Sequence, residues 1–197
     1  PDKKFKLVVF EINMLIGNDV ETKELLEIGH FIEHLFSLYT STKYPCGSKN
    51  RDVFYFKNID IDAEIVNKNI KFKLEFEPKH TDFVIDILTN ALLDFKIDNE
   101  MFTKEKNAVI EELNEIIKDD EYKFHKKISS IIYKNCQRRF SQDDRLANTK
   151  KIKPDQIISY FKNYFKSGNM IFTIFGNISS KQKKELLSRL SQIPKGK

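Results

Sequence analysis

The stretch Ile70–Phe76, IKFKLEF, alternates apolar and polar residues without a break, and it constrains the fold more than any other feature. A period of two predicts a strand that buries one face and leaves the other in water. Arg51–Ile59, RDVFYFKNI, is interpreted in the same way, as a second half-buried strand. Strands of this kind need a layer of helices over their apolar face, so the chain is predicted to have an α+β fold.

The other segments supply further strands and the layer of helices. Phe5–Ile12 is predicted to be a strand, and Asn169–Phe175 a buried strand ended by Gly176. Helices are predicted at about Glu21–Leu38, at about Thr81–Phe95, from Asp98 or Asn99 to the 130s, from Pro154, and from Ser179 or Ser180 toward Leu190. This order predicts an antiparallel or mixed sheet packed under helices, with residues 1–197 forming a single domain.

Composition narrows the class of protein. Lys and Arg number 34 against 29 Asp and Glu, and without an Arg-rich cluster this balance does not favour nucleic-acid binding. A further hypothesis, a basic surface that binds acidic polymers, is supported only by the net charge of +5. Cys46 and Cys136 have no CxxC spacing, so no disulfide scaffold or cysteine zinc site is predicted.

Targeting signals are not evident. No apolar run approaches the roughly 20 residues of a membrane span, and PDKKFKLVVFEI lacks the layout of a signal peptide. We therefore expect a soluble protein of the cytoplasm or an organelle lumen rather than a secreted one. The chain opens on Pro rather than Met, so we expect a processed product or a segment of a longer protein.

The chemistry-bearing residues are concentrated in Gly29–Phe36, GHFIEHLF. On a helix, His30 and His34 lie one turn apart on one face, where both neutral rings can reach a single cation. Glu33 points from the same face and could hold and deprotonate a water at that cation. A solvated helix face with ordinary polar residues explains this motif equally well, so a third ligand from elsewhere has to decide.

That ligand is predicted in Glu105–Glu115, EKNAVIEELNE. On a helix, Glu105, Val109 and Glu112 share one narrow stripe, whereas Glu111 turns away from it. Burying a carboxylate in an apolar stripe is costly unless it is paired, and a metal ion would pair it. Glu112 is therefore the better candidate ligand, and Glu105 could hydrogen-bond a histidine ligand or the water.

Together these motifs resemble the pitrilysin/insulinase family of zinc metallopeptidases, which includes insulin-degrading enzyme and the mitochondrial processing peptidases. His30–His34, HFIEH, is similar to the family's HFxEH, and Thr40–Pro45, TSTKYP, resembles the GTxKYP that follows it. Glu105–Leu113 resembles the helix whose later glutamate completes the zinc site. Further matching positions extend the resemblance over roughly residues 5–190: Gly17, Glu21, Tyr164, Asn169, Met170 and Gly176.

The resemblance implies one Zn²⁺, bound by His30, His34 and Glu112. It also implies that Glu33 is the general base and Glu105 a supporting acid. The implied reaction is endopeptidase hydrolysis of a peptide or unfolded chain that lies along an edge strand of the sheet.

The resemblance also defines where this chain departs from the family. Asp62 and Ala63 stand where the family has an Asn-Ala pair on the strand lining the cleft, and they are the predicted substrate-binding residues. Family members build a closed chamber from several such domains, so a homo- or hetero-oligomer or a covalently linked second domain is the expected partner. A non-cleaving peptide-binding or assembly homologue is the alternative, favoured by Asp62 and by the short chain.

Overall fold

A computed structural model describes residues 6–16, 20–66, 69–133 and 139–196. One four-stranded antiparallel sheet is formed, in the order β2-β3-β1-β4, by β1 (Val8–Met14), β2 (Asp60–Val66), β3 (Asn69–Phe76) and β4 (Met170–Gly176). The helices are α1 (Ile28–Phe36), α2 (Gly47–Phe56), α3 (Thr81–Leu93), α4 (Asn99–Lys118), α5 (Asp120–Ile132), α6 (Gln142–Thr149), α7 (Pro154–Tyr164) and α8 (Ser180–Leu190). The predicted α+β fold, with a sheet under helices, is confirmed.

The alternation in β3 does what the sequence predicts. Every second residue of β3 is buried, from Ile70 to Phe76, and β1 shows the same alternation of buried and half-buried positions. The register places Phe10 opposite Leu74 and Ile12 opposite Phe72, so the apolar side chains of both strands share one face. The helices cover this face.

Helix α1 lies in the centre of the core and carries the candidate site on its other side. Phe36, at its end, is fully buried. Ring centroids lie between 4.8 and 5.9 Å from that of Phe36 for five aromatic residues: Tyr39, Phe72, Phe95, Phe161 and Phe165. Because these rings come from β3, from α7 and from the segments that follow α1, α3 and α7, the position of α1 is fixed from several sides.

The predicted strand Arg51–Ile59 is wrong. These residues form most of α2, which buries Asn50 and Phe54 one turn apart and leaves Phe56 exposed. The amide of Asn50 donates to the carbonyl oxygen of Leu38, which holds this helix against the segment after α1. The missing strand is β2, which begins at Asp60.

Two helix boundaries also differ clearly from the predictions. The first helix starts at Ile28 rather than near Glu21, because Glu27 takes a left-handed backbone conformation that an α-helix cannot include. The long helix from Asp98 ends at Lys118, and Asp119 caps α5 by accepting from the backbone of Glu121.

Strand β4 is a half-exposed edge strand rather than a buried one, and α6 was not predicted. Phe5, Gly17 and Cys136 lie outside the described residues. Within the described ranges, no helix is both long and apolar enough to cross a membrane.

Candidate metal centre

The three predicted ligands lie close together between α1, which carries both histidines, and α4, which carries Glu112. The Nε2 atoms of His30 and His34 are 3.2 Å apart, and the carboxylate of Glu112, from α4, is 3.2 Å from the first and 3.9 Å from the second. One ligand atom from each residue lies within 4.8 Å of the other two. Ligand atoms held about 2.0–2.2 Å from a tetrahedral ion are about 3.3–3.6 Å apart. The two Nε2 atoms and the contact of Glu112 with His30 are close to this spacing, and the contact of Glu112 with His34 is slightly longer.

Helical phase explains how the ligands come to face one another. The apolar residues of α1 point into the core, so His30 and His34 are left on the side that α4 crosses. Glu112 is half exposed, with 49% of its side chain accessible, so the predicted burial of this carboxylate is wrong. Glu112 nevertheless joins the histidines, and exposed Glu111 is not part of the cluster.

The outer nitrogens of both rings are held by carboxylates. His30 Nδ1 lies 2.8 Å from Glu27 Oε2, and His34 Nδ1 lies 3.0 Å from Glu105 Oε2. Glu105 therefore lies where the sequence predicted a supporting acid. Because an ionised carboxylate only accepts hydrogen bonds, each Nδ1 carries the hydrogen, and each neutral ring presents a lone pair at Nε2.

Two Nε2 lone pairs facing each other at 3.2 Å repel, and a cation between them removes the repulsion. Without a metal, a proton on one ring does the same. Burial alone would lower the pKa of His30, but the hydrogen bond and charge of Glu27 raise it. The donor set therefore fits a cation that prefers imidazole and carboxylate ligands, as zinc does.

Glu33 lies on the same side of α1, one residue before His34. Burial raises the pKa of its carboxyl group, and the charges of Glu112 and Asp62 add to this, against the lowering effect of His30 and His34. A carboxylate with a raised pKa is a stronger base than one free in water.

The predicted substrate-binding residues lie beside this group. Asp62 and Ala63 are on β2, which has β3 as its single strand neighbour among the described strands and so leaves its other edge open. A shallow hollow joins them to the site and is lined by Glu33, His34, Ser37, Arg51, Ile61, Asp62, Ala63 and Glu105. Asp62 is exposed, whereas Ala63 packs against the core.

Three residues near the site, Glu27, Arg51 and Arg145, were not anticipated from the sequence. Arg145 donates to Glu27 at 2.6 Å and to Glu21 at 3.1 Å, and Arg51 donates to Glu105 at 2.9 Å. Burial alone would raise the pKa of Glu27, but the hydrogen bonds from His30 and Arg145 lower it. The arginines lie far along the sequence from the glutamates they contact, so no short-range spacing predicts these contacts.

Comparison with known proteins identifies the family of the chain. Residues 8–141 match the model of the insulinase family, peptidase family M16. A protein of Bacillus subtilis (strain 168) named as an uncharacterized zinc protease, YmxG, is 25% identical over 168 residues, which are 83% of this chain and 39% of the relative.

Solved structures of two proteases share the fold. The periplasmic protease PqqL of Escherichia coli superposes with a TM-score of 0.80 at 17% identity, over 98% of this chain and 22% of the PqqL chain. Pitrilysin gives a TM-score of 0.80 at 19% identity, over 100% of this chain and 22% of its own. This chain thus spans about two fifths of its curated relative and about a fifth of these solved chains. The family match covers more than half of the sequence, and the chain therefore belongs to the insulinase family of peptidases, M16.

Proposed function

We propose that this chain is the zinc-binding catalytic domain of an endopeptidase that hydrolyses peptides or unfolded chains. The observation that carries the proposal is the 3.2 Å distance between the Nε2 atoms of His30 and His34, with the carboxylate of Glu112 beside both. Membership of a peptidase family and the name of the YmxG relative support zinc as the cation.

His30, His34 and Glu112 would hold the zinc, leaving a fourth position for water or substrate. When bound, zinc supplies a Lewis acid that polarises the scissile carbonyl and lowers the pKa of a water. Glu33 accepts the proton of the attacking water and passes it to the leaving amine. Burial raises the pKa of Glu33, which makes its carboxylate a better proton acceptor than one free in water.

The open edge of β2 provides a place for the substrate. An extended peptide that adds to this edge gains backbone hydrogen bonds along its length, next to the hollow that contains Glu33 and His34. Asp62, when ionised, can only accept, so its side chain can contact a substrate N–H but not a carbonyl oxygen. This separates it from an asparagine, which can contact both.

A partner is part of the proposal. Because the chain spans only part of its relatives, we propose that a linked domain or a second subunit completes the substrate chamber. The alternative, a homologue that binds peptides or takes part in assembly without cleaving them, rests on Asp62 and on the short chain. Peptide binding gives no reason to place a base beside three metal ligands.

The test is cleavage of an unfolded, internally quenched polypeptide by the chain alone and by the chain together with its linked domain or second subunit, both with zinc. We expect cleavage by the completed assembly, weak or absent cleavage by the isolated chain, and a loss of at least about 100-fold in the assembly that carries Glu33→Gln, with its zinc content unchanged. Glu111→Gln is the matched control and should behave as the parent. Cleavage that survives in Glu33→Gln contradicts the role of Glu33, and no cleavage by a zinc-loaded assembly favours the alternative.

A further inference from the structure

Glu27 joins the first candidate ligand to a distant helix. Its Oε2 accepts from His30 Nδ1 at 2.8 Å, and its Oε1 accepts from Arg145 Nη1 at 2.6 Å. The side chains of Glu27 and Arg145 are only 8% and 10% exposed, so both hydrogen bonds are shielded from water. Arg145 lies on α6, 118 residues along the chain from Glu27.

The backbone of Glu27 is in an unfavourable conformation. Its φ of 70° and ψ of 2° lie in the left-handed region, which glycine adopts without strain and a side-chain-bearing residue does not. Helix α1 begins at the next residue, and the side chain of Glu27 reaches His30 within the first turn. A strained conformation persists where the surrounding contacts compensate for it, and here those contacts lead to the candidate metal centre.

The second ligand has a matching support. Glu105 Oε2 contacts His34 Nδ1 at 3.0 Å, and Glu105 Oε1 accepts from Arg51 Nη2 at 2.9 Å. Each histidine is thus held by a glutamate that is itself held by an arginine, and both Nε2 atoms face the same point. The sequence motif implied a supporting role for Glu105, but it implied none for Glu27, and Arg145 lies beyond the residues that match the family model.

We propose that Glu27 and Arg145 are positioning residues for metal binding, an inference that rests on the proposed zinc site. Glu27 fixes the hydrogen of His30 on Nδ1 and sets the plane of the ring, so that Nε2 points at the metal. Arg145 holds the carboxylate of Glu27 in place through their 2.6 Å hydrogen bond. Carboxylates that hold ligating histidines in this way strengthen metal binding, and removing them typically weakens it 10- to 100-fold.

The test compares Glu27→Gly and Glu27→Gln with the parent chain. Glycine suits the left-handed backbone and leaves Arg145 paired with Glu21, so this variant removes the carboxylate without adding backbone strain. Glutamine keeps an oxygen that can accept from His30, but its amide cannot form an ion pair with Arg145. Glu24→Gln is the matched control, because Glu24 is exposed on the preceding turn and its carboxylate accepts a hydrogen bond from the hydroxyl of Thr22.

Zinc affinity is measured by competition with a chromophoric chelator, and ligand geometry by the visible absorption spectrum of the Co²⁺ form. We expect Glu27→Gly to bind zinc roughly 10- to 100-fold more weakly than the parent and to have an altered Co²⁺ spectrum. The zinc affinity of Glu27→Gln should lie between that of Glu27→Gly and that of the parent. Glu24→Gln should match the parent. Parent-like affinity and spectrum in both Glu27 variants, even with changed thermal stability, would show a purely structural role and overturn the inference. A parent chain that binds no zinc would overturn the proposed function as well.

Discussion

Replacing Arg145 by Met removes the guanidinium that bridges Glu21 and Glu27. The side chain of Glu21 is fully buried and that of Glu27 nearly so, and the variant leaves both carboxylates without this partner. Removing one member of a buried ion pair costs about 3–5 kcal/mol, because the remaining charge is then neither hydrated nor paired. Met has a volume similar to that of the aliphatic part of Arg, which limits any contribution from a cavity. We expect the free energy of unfolding in urea to fall by about 3–5 kcal/mol at about pH 8.

The loss should depend on pH. Burial raises the pKa of Glu21 from its ordinary value of 4.5 to about 7, although Arg145 opposes this effect. Between these two values the folded state binds a proton that the unfolded state has released, so this group makes the parent less stable as pH rises. Without Arg145, both carboxylates resist ionisation further. The stability difference between variant and parent should therefore be larger at about pH 8 than at about pH 5.5.

Arg189→Met is the matched control. Arg189 also contacts two carboxylates, those of Asp86 and Glu185, but 30% of its side chain is exposed. Exposed pairs contribute about 0–1 kcal/mol, so this variant should lose less than about 1 kcal/mol. A loss at Arg145 no greater than that at Arg189, or one that is greater at the lower pH, would refute the reasoning.

Three further substitutions test the fold that carries the site, each by urea unfolding beside the parent. Phe36→Ala removes a fully buried ring from the aromatic core and should cost about 3–5 kcal/mol. Asp98→Ala removes the cap of α4 and the acceptor of the Gly47 N–H, and should cost about 1–2 kcal/mol. Gly176→Ala places a Cβ 2.5 Å from the carbonyl oxygen of Leu7 at a φ of 117°, and should cost more than about 1 kcal/mol. A loss below about 0.5 kcal/mol at any of these positions would contradict the reason given for it.

The parts of the structure that follow from short-range periodicity were predictable. The alternation in Ile70–Phe76 gave a strand with one buried face, and helical phase brought Glu112 rather than Glu111 to the histidines. Both inferences depend only on the geometry of a single element. The roles of these site residues remain predictions, as do the extent of the domain and the compartment.

Strand β2 shows where local patterns mislead. Its sequence, DIDAEIV, alternates as regularly as that of β3, but acidic residues have a low preference for strands. At the edge of a sheet that low preference is outweighed, because charged side chains there remain in contact with water. The strand was predicted instead at Arg51–Ile59, which was interpreted as alternating apolar and polar residues, although Tyr55 and Phe56 are exposed on a helix.

The contact of Glu105 with His34 was anticipated from helical phase, but the support of His30 by Glu27 and Arg145 could not be predicted from the sequence. Arg145 lies in α6, a short and polar helix, QDDRLANT, and its partner Glu27 is more than a hundred residues away. Nothing in the spacing of either residue links them, because their contact depends on how α6 packs in the finished fold. The left-handed conformation of Glu27 is likewise set by its tertiary partners rather than by its own preference.

The zinc content of the purified chain tests the central claim most directly. It is measured in the parent, in Glu112→Ala and in Glu111→Ala, after identical loading with zinc at neutral pH and removal of the excess. The proposed zinc site should hold about one zinc ion per chain in the parent and in Glu111→Ala, and little or none in Glu112→Ala. Equal zinc in Glu112→Ala and the parent, or a parent without zinc, would contradict it.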